Sequence, residues 1–181
     1  MIFNPVLEEK LKRTIRDIPD YPKPGIVFKD ITPVLSDPQL IKDVARALLE
    51  SALTVKPDAV VAVEARGFIF GGLLAHFLNC PFIPVRKTGK LPYRTVTESY
   101  ALEYGTSTVE MHQDALQAGW RVLIHDDLLA TGGTAGAAAA LVQKLGGEIA
   151  GFSFMINLSF LPGEETLIQK YGAPVSYLVK F

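Results

Sequence analysis

Apolar residues along this chain are spaced in two different ways. In the amino-terminal third they recur at helical intervals. Leu7, Leu11, Ile15 and Ile18 share one face of a helix predicted to open at Asn4-Pro5, where an asparagine can cap and a proline needs no donor. Pro19, Pro22 and Pro24 with Gly25 end that helix in a loop. Ser36-Asp37-Pro38 then starts a second helix, which turns Leu40, Ile41, Val44 and Leu48 toward a core. Between the two lies Ile26-Val27-Phe28, a short apolar ledge closed by Lys29-Asp30.

From Ala59 onward the pattern becomes strand and helix in alternation. The predicted series is a strand over 59–63, a helix over 68–78, a strand over 82–85, a strand over 122–124, a helix over 135–145 and a strand over 149–156. Such alternation calls for an α/β fold, a mainly parallel twisted sheet flanked by helices, with ligands at the carboxyl ends of the strands. The stretch from Lys87 to Thr97 is polar, contains Gly89 and Pro92 and has no apolar period, so it reads as a mobile loop. No internal repeat is visible, and 181 residues suit a single domain with one core.

The chemistry concentrates at the end of the strand that starts at Val122. There the chain reads His125-Asp126-Asp127-Leu128-Leu129-Ala130-Thr131-Gly132-Gly133-Thr134. Gly132 and Gly133 permit a sharp turn, and the helix that follows presents N–H groups with no partner inside it. With the helix dipole and the hydroxyls of Thr131 and Thr134, those amides form an anion cradle that needs no lysine. Carboxylates repel phosphate, so Asp126 and Asp127 must face another group. The vicinal hydroxyls of a ribose suit them, with or without a divalent ion that prefers oxygen ligands. Neighbouring strand residues point to opposite faces, so both reach one sugar only if the strand is already turning at Asp127. The plainer alternative, that they only cap the next helix, requires one carboxylate and no Thr-Gly-Gly-Thr.

Glu64-Ala65-Arg66-Gly67 repeats the strand, turn and helix arrangement without the acidic pair and suits a second anion. Arg86, Lys87, Lys90 and Arg94 add a basic cluster nearby. Composition narrows the partners. A net charge of -1 argues against a nucleic acid, and no run approaches the ~20 apolar residues of a membrane span. The lone Cys80 allows no internal disulfide and lacks a nearby histidine or metal partner, so it reads as chemically idle. Met1-Ile-Phe-Asn-Pro5 is not the basic-then-apolar pattern of a targeting segment, and the expected compartment is the cytoplasm.

These motifs resemble the phosphoribosyl-pyrophosphate-binding signature of type I phosphoribosyltransferases. Residues 21–35, 63–68, 84–92 and 100–105 extend the likeness to the adenine phosphoribosyltransferase family over nearly the whole chain. His125 departs from it, standing where an aliphatic residue is usual. The resemblance implies a small amino-terminal hood (residues 1–35) over the base, with Phe28 stacking on adenine, the backbone of Val27 and Lys29 reading the exocyclic amine, and Leu128 closing the other face. It implies that Glu64, Ala65, Arg66, Arg86, Lys87 and Lys90 bind pyrophosphate, and that Asp126, Asp127 and residues 130–134 bind the 5-phosphoribosyl group. Glu103 becomes the catalytic acid or base on a flexible catalytic loop (87–105). Mg²⁺ would be carried mainly by the substrate, and a homodimer could bring in the arginine matching Arg86 from the neighbouring subunit. The implied reaction forms AMP and pyrophosphate in purine salvage. Its rivals are transfer to a 6-oxopurine and, from another class, a non-catalytic regulator that senses phosphoribosyl pyrophosphate.

Overall fold

The computed structural model describes residues 4–101 and 105–181. The chain opens with α1 (Pro5–Thr14), whose first turn is capped by the Asn4 side chain accepting from the Leu7 amide at 3.1 Å. Leu7, Leu11 and Ile15 are buried as the helical spacing predicts, but Ile18 is not on that helix. The backbone turns extended at Ile15, and Arg16–Pro19 forms β1, paired antiparallel with β2 (Val27–Asp30) so that Ile18 faces Phe28. Extended backbone suits β-branched Ile15 and Ile18, and the ledge at Val27 supplies the hydrogen-bonding partner.

A short helix, α2 (Thr32–Leu35), leads into α3 (Pro38–Val55), where Asp37 accepts from the amides of Gln39 and Leu40. Then come β3 (Ala59–Val63), α4 (Gly67–Leu78) and β4 (Phe82–Lys87). The hairpin β5 (Thr95–Ala101) and β6 (Thr106–His112) follows, then β7 (Arg121–Leu129), α5 (Gly133–Lys144) and β8 (Glu148–Asn157). The chain ends with α6 (Gly163–Tyr171) and β9 (Val175–Lys180).

Seven strands form one sheet in the order β5-β6-β4-β3-β7-β8-β9. The pairs from β4 to β9 are parallel, and the β5–β6 hairpin adds an antiparallel edge through β6 on β4. Helices cover both faces. α5 packs with Val61, Ile124, Phe152 and Phe154 on one side, and α1, α3 and α4 pack with Val60, Leu123 and Met155 on the other. Each Val, Leu or Phe buried in these layers contributes about 1.5–3 kcal/mol of transfer free energy. The α/β architecture read from the chain is therefore the observed one.

Two boundaries differ from those read along the chain. The polar stretch after Lys87 is not loop throughout, because Thr95–Ala101 pairs with Thr106–His112 over seven positions. Its alternation points Val96 and Tyr100 onto the core below α5, a period-two signal masked by threonine, glutamate and serine. The strand beginning at Val122 also runs on through both aspartates to Leu129 before it turns.

Candidate active site

β3 and β7 are parallel neighbours with Ala62 opposite His125, so their carboxyl ends open on the same side of the sheet. A cavity of about 280 Å³ lies there, walled by residues 63–66, Lys87, Tyr100, Val109 and residues 126–135. Asp126, Asp127, Leu128, Ala130, Thr131, Gly132, Gly133 and Thr134 thus share one cleft with Glu64, Ala65, Arg66 and Lys87. The two turns come this close because α4 begins with glycine. A Cβ at Gly67 would stand 2.9 Å from Asp126 Oδ1 and 3.1 Å from its Cα.

The turn after β7 is shaped by backbone alone. Gly132 adopts φ +82°, a left-handed conformation that other residues enter at a cost, and immediately precedes α5. The first N–H groups of α5 have no acceptor within the helix, and the residues that carry them, Gly133, Thr134 and Ala135, line the cleft. Behind this turn stands Gly163, where a Cβ would lie 2.2 Å from the Ala130 carbonyl oxygen. Thr134 Oγ1 donates to the Tyr100 hydroxyl at 3.1 Å.

Both aspartates reach the cleft although β7 has not yet turned. Asp126 Oδ1 accepts from the Asp127 amide at 2.9 Å. Burial, followed by the neighbouring Asp127 charge, raises the Asp126 pKa well above the ordinary carboxylate value. Asp127 is raised as well by burial, although the Arg66 guanidinium pulls it back. Arg66 Nε stands 2.8 Å from Asp127 Oδ2. The N–H does not line up with that oxygen as a hydrogen bond, so the contact is chiefly coulombic. The same guanidinium lies over the Phe28 ring at 4.7 Å and so links the acidic pair to the hood.

The β3 turn is crossed by its own ion pairs. Glu64 Oε2 accepts from Arg86 Nε at 2.7 Å and Oε1 accepts from the Lys87 amide at 2.8 Å. Burial opposes its ionisation, but these donors outweigh that and hold its pKa below the usual range. Arg86 also donates to the Lys90 carbonyl, and neither Arg86 nor Lys90 lines the cavity. In the hood, the Phe28 ring is met edge-on by Tyr21 at 5.2 Å. Lys29 turns its ammonium to Asp17 at 2.7 Å and over the Phe181 ring at 3.8 Å. Val27 is exposed and Leu128 half-buried beside Asp127. Glu103 lies outside the described residues.

Comparison with known proteins decides the family. The phosphoribosyl transferase domain matches residues 31–158. An adenine phosphoribosyltransferase of Cytophaga hutchinsonii is 56% identical over 176 residues, 97% of each chain. This chain belongs to the adenine phosphoribosyltransferase family. Among solved members, that of Rhodothermus marinus superposes with a TM-score of 0.92 at 52% identity, covering 98% of this chain and 100% of that one. The Saccharomyces cerevisiae enzyme, complexed with an imino-altritol bisphosphate and adenine, gives 0.85 at 39% identity over 95% and 98%.

Of the polar side chains lining the cleft, one is not among the residues assigned from the sequence. Tyr100 enters the cleft from β5, and only the alternation of that strand could have revealed it. His125, the departure from the family pattern, is fully buried. Its Nδ1 is 3.3 Å from Ser153 Oγ across the β7–β8 pair and its Nε2 has no partner, so it does not touch the acidic pair through a hydrogen bond. Burial lowers its pKa to about 4. Among the described residues, no helix is long and apolar enough to cross a membrane.

Proposed function

We propose that this cleft transfers the 5-phosphoribosyl group of phosphoribosyl pyrophosphate to adenine, giving AMP and pyrophosphate in purine salvage. One observation carries the reading: a carboxylate pair, a glycine turn opening a helix and a basic turn surround a single cavity. Residues 130–134 bind the 5′-phosphate through backbone N–H groups and the Thr131 and Thr134 hydroxyls. Asp126 and Asp127 accept from the ribose hydroxyls. Adenine stacks on Phe28 with Leu128 on its other face, and the Val27 and Lys29 backbone reads its amine.

As the C1′–O bond lengthens, positive charge develops on the ribose and negative charge on the pyrophosphate. Arg66, Lys87 and the Ala65 turn stabilise the leaving group, with Glu64 steering Arg86 and Lys90 beside it. With the ring proton of adenine on N7, the lone pair of N9 forms the new bond at C1′ from the face opposite the departing pyrophosphate, and Glu103 takes that N7 proton. Mg²⁺ fits the oxygen donors here. The ion would be carried mainly by the substrate's phosphates, with Asp126 and Asp127 as the carboxylate oxygen donors lining the cleft. Its chemistry is to neutralise charge on the pyrophosphate.

The reading includes a homodimer, supported by the exposed apolar side chains of Ile69, Phe77 and Phe82 along α4 and β4, and a cytoplasmic location, supported by the lone Cys80. A 6-oxopurine transferase and a non-catalytic sensor are the readings it displaces, since the relatives named above carry adenine in their names. Pyrophosphate release on mixing with phosphoribosyl pyrophosphate separates all three. Adenine supports turnover and hypoxanthine does not, whereas a sensor releases nothing with either. Glu103→Gln lowers turnover by ~10²–10⁴-fold with little change in adenine affinity. A normal rate would move the proton transfer to another residue.

A further inference from the structure

With Lys87 and Val109, the Tyr100 side chain walls the cleft from outside the two turns. Its ring lies against the phosphate turn, since a Cβ at Gly133 would sit 3.0 Å from Tyr100 Cδ2. Its hydroxyl accepts from Thr134 Oγ1 at 3.1 Å. The strand that carries it is fastened to α5 a second time, because Lys144 Nζ donates to the Thr97 carbonyl at 2.8 Å and pairs with Glu98. β5 is therefore tied to both ends of the helix that starts at the phosphate turn.

We infer that Tyr100 is a positioning residue for the 5′-phosphate, acting through Thr134; this deepens the proposed reading of the cleft and rests on it. A hydroxyl is both donor and acceptor. Facing a phosphate, the Thr134 hydrogen turns to the anion, and the lone pair it leaves accepts the hydrogen of Tyr100. The bond between the two residues reverses, no covalent bond changes, and the chain Tyr100 O–H to Thr134 O–H to phosphate polarises in one direction. Phosphate binding thereby tightens the strand that leads, three residues on in sequence, to Glu103.

Tyr100→Phe removes one oxygen and keeps the ring over Gly133. AMP affinity and the KM for phosphoribosyl pyrophosphate should each worsen roughly fivefold, the usual size of one net hydrogen bond, while adenine affinity stays unchanged. Thr134→Val should cost at least as much, and adding Tyr100→Phe to it should cost nothing more. Equal losses for AMP and adenine, no loss at all, or full additivity in the double variant would overturn the role of Tyr100. If Thr134→Val itself leaves AMP affinity intact, the phosphate turn has been misassigned and the parent reading fails. If only Tyr100→Phe is silent, the parent reading stands and this inference alone falls.

Discussion

The cleft is built from two strand-turn-helix units that look alike and are prepared for their anions in opposite ways. The turn after β7 contains no cation. Its shape comes from Gly132 at φ +82° and from Gly163 pressed against the Ala130 carbonyl, and it offers its backbone donors without breaking an ion pair. The turn after β3 carries its charge on side chains that are already engaged. Arg66 is held to Asp127 and stacked on Phe28, and Arg86 is held to Glu64. One site is prebuilt, while the other must exchange partners before it can grip. A prebuilt site loses little entropy on binding, whereas a self-paired site keeps mutually repelling acids tolerable until substrate arrives.

The largest effect should come from deforming the prebuilt turn. Gly163→Ala places a methyl 2.2 Å from the Ala130 oxygen, a backbone contact that no rotamer can relieve. Overpacking of this kind costs about 2–3 kcal/mol of stability. A similar penalty on the phosphate turn corresponds to on the order of a hundredfold in the KM for phosphoribosyl pyrophosphate. Urea unfolding and steady-state kinetics read the two numbers. If both are unchanged, the turn is moulded by its ligand and the contrast between the two units disappears.

Next in size is the self-paired turn. Arg66→Met removes a guanidinium that serves Asp127, Phe28 and, in the proposed reaction, the leaving group. The KM for phosphoribosyl pyrophosphate should rise roughly tenfold for the lost charged hydrogen bonds. Because Arg66 is 37% exposed, screening limits the stability loss to about 1 kcal/mol. The discriminating result is the adenine KM, which should rise as well because Phe28 loses its stacked partner. An effect confined to phosphoribosyl pyrophosphate would mean that the resting contacts of Arg66 have no consequence.

The same contrast explains what could be read from the chain. Backbone-encoded features were legible, since the apolar run at Ala59–Val63, the proline and asparagine at the start of α1 and the glycines after Thr131 each leave a local mark. Side-chain partnerships were not. Arg66 meets Asp127 and Glu64 meets Arg86 only because β3 lies between β4 and β7, and nothing near either residue signals its partner. β5 was hidden because its outward positions are polar and its inward Val96 and Tyr100 are few. Ile18 kept helical spacing by coincidence, and pairing between β1 and β2 overrode it. Nothing near Lys29 in sequence signals that its ammonium is held by Asp17 and lies over Phe181.

The smallest expected effect concerns His125, on the strand that feeds the prebuilt turn. It is fully buried among β7, Ser153 and α4 near Gly71, and its pKa is lowered from 6.5 to about 4 by loss of solvation. A group whose folded pKa is depressed in this way stays neutral in the native protein while the unfolded chain takes up a proton. Stability is therefore unaffected above pH 6.5, declines as pH falls from there toward 4, and declines no further below. At pH 5.5 the loss amounts to about 1 kcal/mol. The acidic pair has raised pKa values and pushes the opposite way, so the total pH profile would blur the two. The difference between wild type and His125→Val isolates the histidine. The urea midpoint of the variant, relative to wild type, should improve on going from pH 7.5 to 5.5, with the KM for phosphoribosyl pyrophosphate little changed at pH 7.5. A parallel pair of pH profiles would mean that His125 takes up its proton at the same pH in the fold as in the unfolded chain, and that burial does not hold it neutral.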